Sequence, residues 1–195
     1  MNLGSTIRIV RKRQTVIPAR PGVKLMRGDF HCGLDGEGAK KFEIVKDGER
    51  VVDYLNVRLK GYLSTFKHVT ESDRDGDYVE KGAFLDTIPR FMRNPVLLVN
   101  HQNSVGTLAG KFTVVREDER GLYVEAEISN SPADSMKHVR ALVADGYLTT
   151  LSMGGRFHYK EDGRGIFKVD LFEGSLVSIP ANPDALFSVR ELTDA

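Results

Sequence analysis

Three short stretches carry a base, a nucleophile and a carboxylate. His101 sits in Asn100-His101-Gln102, Ser152 in Leu151-Ser152-Met153-Gly154-Gly155, and Glu173 in Phe172-Glu173-Gly174-Ser175-Leu176-Val177. A serine hydroxyl is a poor nucleophile at neutral pH. It needs an imidazole to take its proton and an acid to orient that imidazole. These residue types therefore fit hydrolysis by a serine nucleophile, provided the fold brings three distant positions together.

Each position has its own local logic. Val96–Val99 is an unbroken apolar run of strand length, and His101 falls just past its end, where rigid strands commonly deliver working groups to loops. His31, His68, His138 and His158 lack that setting. Ser152 precedes paired glycines that permit a bulge or a close backbone approach. It lies outside any Gly-x-Ser-x-Gly elbow, and taken alone it reads as a structural serine before a nucleophile. In strict alternation Glu173 shares a face with Val169, Leu171, Ser175, Val177 and Ile179. A carboxylate there needs a partner, and on the residues alone an Arg or Lys such as Arg156 is favoured slightly over a histidine.

The elements that must hold these residues are mostly strands. Val52–Phe66 reads as one long strand or a pair broken near Gly61. Ser72–Asp77 is a turn built on Asp75-Gly76, and Gly82–Met92 a short helix weakened by Pro89. Gly106–Val115 and Leu122–Ile128 form one hairpin, and Leu148–Lys160 and Ile166–Ile179 another. Between the hairpins Met136, Val139, Leu142 and Val143 recur at helical spacing. Ser131 is placed to cap that helix, Pro132 and Asp134 suit its first turn, and Gly146 stops it.

The bulk numbers exclude several classes. The chain has 195 residues, 41% of them hydrophobic and 28% charged, which suits one soluble domain with a core. No apolar run is long enough to span a bilayer, and no N-terminal apolar stretch reads as a secretory signal. Cys32 is the single cysteine, so an internal disulfide framework is excluded. No His or Cys pair has ligand spacing, so no metal and no cofactor are expected. Residues 1–27 hold seven Lys or Arg and no acid, which leaves 21 basic against 27 acidic residues on the remainder. We expect a basic, Gly-rich extension over residues 1–50, flexible or processed, and a catalytic body over 51–195. The body lacks the aromatic-and-basic interleaving of single-strand binders, so no specific nucleic acid is expected as partner.

Beyond these readings, the chain from about Leu59 to Leu192 resembles the prohead proteases of tailed phages, a family related to the herpesvirus assemblins. The resemblance is carried by Gly61-Tyr62-Leu63-Ser64, Asp75-Gly76-Asp77, Gly82-Ala83-Phe84 and Leu97-Leu98-Val99-Asn100-His101. It continues through Gly146-Tyr147-Leu148, Leu151-Ser152-Met153-Gly154 and Glu173-Gly174-Ser175-Leu176-Val177-Ser178-Ile179-Pro180-Ala181-Asn182-Pro183. Gly174 departs from the pattern, which has a Val-like residue there.

The resemblance implies a mainly β fold, an antiparallel β-barrel of the assemblin type with two or more helices packed outside. It implies His101 as general base, Ser152 as nucleophile and Glu173 as the orienting acid, although the assemblins carry a second histidine in the third place. Oxyanion donors follow the third member. Pro180 has no N–H, so Ala181 and Asn182 are the candidates. The implied activity is a serine endopeptidase that cuts phage scaffold and major capsid protein and processes itself. It would work inside the assembling procapsid in the host cytoplasm, away from membranes, with homo-oligomerisation left open. The alternative is a non-catalytic assembly module that binds scaffold.

Overall fold

The computed structural model describes residues 40–46, 49–68 and 70–190, with side chains from Tyr54 to Val189 except at position 69. The basic arm, His31 and Cys32 lie outside the described residues. Strands β1 (Lys40–Lys46) and β2 (Glu49–Leu55) pair antiparallel as a separate two-stranded sheet. The chain then breaks at Asn56, whose φ is 55°, rather than near Gly61. Asn tolerates this left-handed conformation, and Asn130 secures it by accepting from the Asn56 amide at 2.9 Å.

The main sheet has eight strands. They are β3 (Arg58–Thr65), β4 (Tyr78–Val79), β5 (Val96–Val99), β6 (Leu108–Glu117), β7 (Gly121–Ile128), β8 (Thr150–Tyr159), β9 (Gly165–Val177) and β10 (Phe187–Arg190). The order is β10-β3-β7-β6-β5-β9-β4, with β8 also paired to β9. Both expected hairpins, β6–β7 and β8–β9, are present and antiparallel. In β7, Leu122, Val124, Ala126 and Ile128 alternate into the core, as period-two patterning requires.

The expected antiparallel barrel is corrected in two respects. β5 and β4 both run parallel to β9, so the sheet is mixed. The sheet is also not closed. Among the described residues its margins pair only at an isolated bridge between Thr150 and Leu186, with Leu151 N donating to Ala185 O at 2.8 Å and Phe187 N to Thr149 O at 3.0 Å. Short turns announce antiparallel neighbours, whereas the β5–β9 pairing joins segments about 75 residues apart that no local signal links.

Two helices flank the sheet. Instead of Gly82–Met92, α1 covers only Ile88–Phe91, with Pro89 in its first turn and a run of turns before it. A proline has no amide to continue a helix through, but it suits a start. α2 (Asp134–Ala144) buries Met136, Val139 and Val143. Ala133, not Ser131, is its N-cap, while the Ser131 hydroxyl accepts from Ala133 N at 3.3 Å. Gly146, at φ 77°, ends the helix as expected. The core gathers Leu59, Leu63, Phe84, Leu97, Phe112, Leu122, Leu151, Val169 and Leu176, each less than 2% exposed. Each such side chain stabilises the fold by about 1.5–3 kcal/mol relative to exposure.

Candidate active site

The turn after β5 delivers His101. Gln102 N donates to Val99 O at 3.1 Å, and the two central residues, Asn100 and His101, have φ of 52° and 56°. Positive φ at both central positions is the type I′ pattern, which favours Asn at the first. Two successive non-glycine residues in this region cost on the order of 1–3 kcal/mol each and persist only when neighbours over-determine them. Here β9 does so. Asn100 N donates to Leu176 O at 3.0 Å, and His101 N to Ser175 Oγ at 3.1 Å.

A bulge in β9 aims Glu173. The register passes from Gly154 opposite Glu173 to Gly155 opposite Leu171, leaving Phe172 unpaired and 55% exposed. Leu171 N donates instead to the buried Thr87 Oγ1 at 2.9 Å. The extra residue inverts the alternation. Val169 and Leu171 face the core on one side of the bulge, Gly174 and Leu176 on the other, while Glu173 and Ser175 turn to the opposite face. The uninterrupted face read from the sequence, with Glu173 beside Val169 and Leu171, is thereby corrected. Arg156 stands opposite Asp170 and not beside Glu173.

Two glycines make this geometry fit. A Cβ on Gly154 would lie 1.8 Å from Glu173 Oε1, so the carboxylate lies over a bare stretch of β8. A Cβ on Gly174 would lie 2.5 Å from Phe112 Cζ, so the departure from a Val-like residue makes room for a core phenyl ring.

The Glu173 side chain is only 13% exposed, and both oxygens are met. Oε1 lies 2.7 Å from His101 Nδ1, and Oε2 accepts from Ser175 Oγ at 2.6 Å. An ionised carboxylate only accepts, so Nδ1 is the donor in this contact, and in the neutral imidazole that leaves the lone pair on Nε2. Ser152 lies directly opposite Ser175 in the β8–β9 register. Cross-strand neighbours of this kind have Cβ atoms roughly 4.5–5.5 Å apart. Ser152 and His101 both line a cleft of about 440 Å³, together with Met153, Phe157, Ile179 and Ala181. Among the described residues the Ser152 hydroxyl has no hydrogen-bond partner, and no bond joins it to the imidazole.

Ala181 and Asn182 stand on a strap along the same cleft. Arg74, which lines the same cleft, holds it in place, its amide donating to Ala181 O at 3.0 Å and its guanidinium to Pro180 O. The Asn182 side chain is committed to structure, donating to Thr65 O and Oγ1 at 3.1 and 3.0 Å. Among the described residues the backbone amides of Ala181 and Asn182 donate to no protein acceptor, as free oxyanion donors must. Sequence reasoning missed Arg74 altogether. It placed Ser175 on the face of Glu173 but gave it no function, although the i, i+2 spacing was the available signal.

The other described histidines stand elsewhere. His68 Nδ1 lies 3.3 Å from Thr70 Oγ1, His138 is exposed on α2, and His158 Nε2 lies 3.0 Å from Asp170 Oδ2 on the β8–β9 ladder.

Comparison with known proteins gives a consistent picture. The family model described as caudovirus prohead serine protease matches residues 46–194. The prohead protease of Escherichia phage T5 is 30% identical over 142 residues, covering 69% of this chain and 63% of that protein. The prohead protease of Enterobacteria phage HK97 is 29% identical over 144 residues, covering 69% and 60% respectively. The chain thus spans less than two thirds of the length of these relatives. The solved capsid assembly protease of bacteriophage T4 matches with a TM-score of 0.50 at 10% identity, covering 74% of this chain and 94% of that one. That is a likeness of fold.

Proposed function

Because this chain belongs to the caudovirus prohead serine protease family, we propose that it is a serine endopeptidase that cuts scaffold and major capsid protein segments during prohead maturation. Self-processing belongs to the same reading, as does action inside the assembling procapsid. One observation carries the assignment. The near-buried Glu173 carboxylate holds His101 Nδ1 at 2.7 Å, at the cleft that Ser152 also lines.

In the reaction, His101 Nε2 takes the Ser152 proton as Oγ attacks the scissile carbonyl. The imidazolium so formed is stabilised by Glu173, which orients the ring without itself taking the proton. The Ala181 and Asn182 amides receive the developing oxyanion, where one donor is typically worth about 10²–10³ in turnover. His101 then gives its proton to the leaving amine, the peptide C–N bond breaks, and an acyl-Ser152 ester remains. Water, giving a proton to His101, attacks the ester carbonyl, and the imidazolium returns that proton to Ser152 Oγ as the acyl C–O bond breaks. For the first step Ser152 Oγ must come within hydrogen-bond reach of Nε2, which suits a hydroxyl without a competing partner. Apo sites are often looser than the reacting complex.

Co-expression with the cognate scaffold and capsid proteins tests the reading. The native chain should yield shortened products, and Ser152→Ala should leave both proteins intact. Equal cleavage by the two would contradict a serine nucleophile. Assembly without any cleavage would favour the scaffold-binding alternative.

A further inference from the structure

The Ser175 hydroxyl touches both members of the acid–base pair. Its proton goes to Glu173 Oε2 at 2.6 Å, and its oxygen accepts the His101 amide at 3.1 Å. The residue is 0% exposed and faces Ser152 across the β8–β9 ladder. With its one proton committed to the carboxylate, the hydroxyl is unsuited to act as a second nucleophile.

We propose that Ser175 is a positioning residue for the proteolytic reaction assigned above, on which this inference rests. It acts at two points. By holding Oε2 it sets the rotation of the carboxylate, so that Oε1 meets Nδ1. By holding the His101 amide it pins the left-handed turn that presents the imidazole. Acid, base and nucleophile are thereby referred to one pair of adjacent strands. Without this hydroxyl, Oε2 keeps no donor among the described residues, and the turn loses one of its two anchors to β9. A hydrogen bond to a charged group typically contributes about 1.5–3 kcal/mol, which corresponds to roughly 10–100-fold in rate. A serine present only for packing would be replaceable by alanine without touching turnover.

The test compares native enzyme with Ser175→Ala on a scaffold-derived peptide and reads kcat, KM and the downfield proton resonance of His101 Nδ1–H. That resonance is identified by its absence in His101→Gln. The expected result is a kcat lower by about 10–100-fold with KM unchanged, and loss of the resonance through exchange with water. Should Ser175→Ala fail to fold, Ser175→Cys fills the same space with a weak donor and is read the same way. A kcat within twofold of native, or a resonance that persists unchanged, would overturn the proposal. Absence of peptide cleavage by the native chain would instead remove the protease reading, and the resonance would still decide whether Ser175 holds the pair.

Discussion

Two histidine–carboxylate pairs lie along β9, and only one sits in a setting fit for catalysis. At one end, His101 and Glu173 approach to 2.7 Å beside a positive-φ turn, a bulge and a cleft that holds an unengaged serine. Farther toward the hairpin tip, His158 and Asp170 approach to 3.0 Å, with Lys168 as the register partner of His158 and Arg156 that of Asp170. A second register shift falls just past His158, but neither residue lines the cleft. The hydrogen bond from His158 holds the Asp170 carboxyl below its usual range, which is what a surface ion pair does. Contact between an imidazole and a carboxylate is therefore not what marks the site. The mark is the positive-φ turn at His101 together with the bulge at Phe172, stabilised by Ser175 and Thr87, which brings the pair to the cleft that Ser152 also lines.

That contrast can be broken most sharply at Ser152 and at His158. Ser152→Ala should reduce turnover on the order of 10⁶-fold, whereas His158→Ala should leave it within about twofold, both measured by single-turnover peptide cleavage. Gly154→Ala comes next. Its methyl would occupy the space of Glu173 Oε1, and a displacement of about 1 Å is expected to lower kcat by roughly 10² while the thermal midpoint moves little.

Gly174→Val sharpens the other side of the bulge. The larger residue clashes with Phe112 and should cost about 1–3 kcal/mol in denaturant unfolding. Combined with Phe112→Ala, the loss should be smaller than the sum of the two single losses, and strict additivity would argue against the contact.

The smallest effect concerns the hairpin tip. The Gly165 and Arg164 amides and the Tyr78 hydroxyl push Asp162 down from 3.8 to about 2. A depressed carboxylate stabilises the folded state above its unfolded value and loses that contribution as pH falls through the folded one. Stability should therefore decline between about pH 4 and pH 2, and Asp162→Asn should flatten that part of the curve in acid denaturation. Turnover at neutral pH should not change.

What could be read from the chain follows the range of each signal. Both hairpins and α2 rest on local turns, alternation and 3.6-residue spacing, and these were legible. His101 stood out because Val96–Val99 had to be buried on both sides and end there. Glu173 stood out because a carboxylate in an apolar strand demands a partner. The bulge at Phe172 was not legible, since it depends on Thr87 reaching the Leu171 amide from 84 positions away. The parallel entry of β5 beside β9 was hidden for the same reason. Gly174 looked like a loosened strand until Phe112 was seen to fill its space, because compensation between distant residues leaves no trace in either segment alone.

The most direct measurement is mass mapping after exposure of the folded protein to a fluorophosphonate, which phosphonylates serines activated by a neighbouring base. One adduct on Ser152 is expected, abolished in His101→Ala and strongly slowed in Glu173→Gln. Scaffold cleavage by a protein whose Ser152 stays unmodified, or an adduct on Ser152 that forms equally fast without His101, would contradict Ser152 as the activated nucleophile.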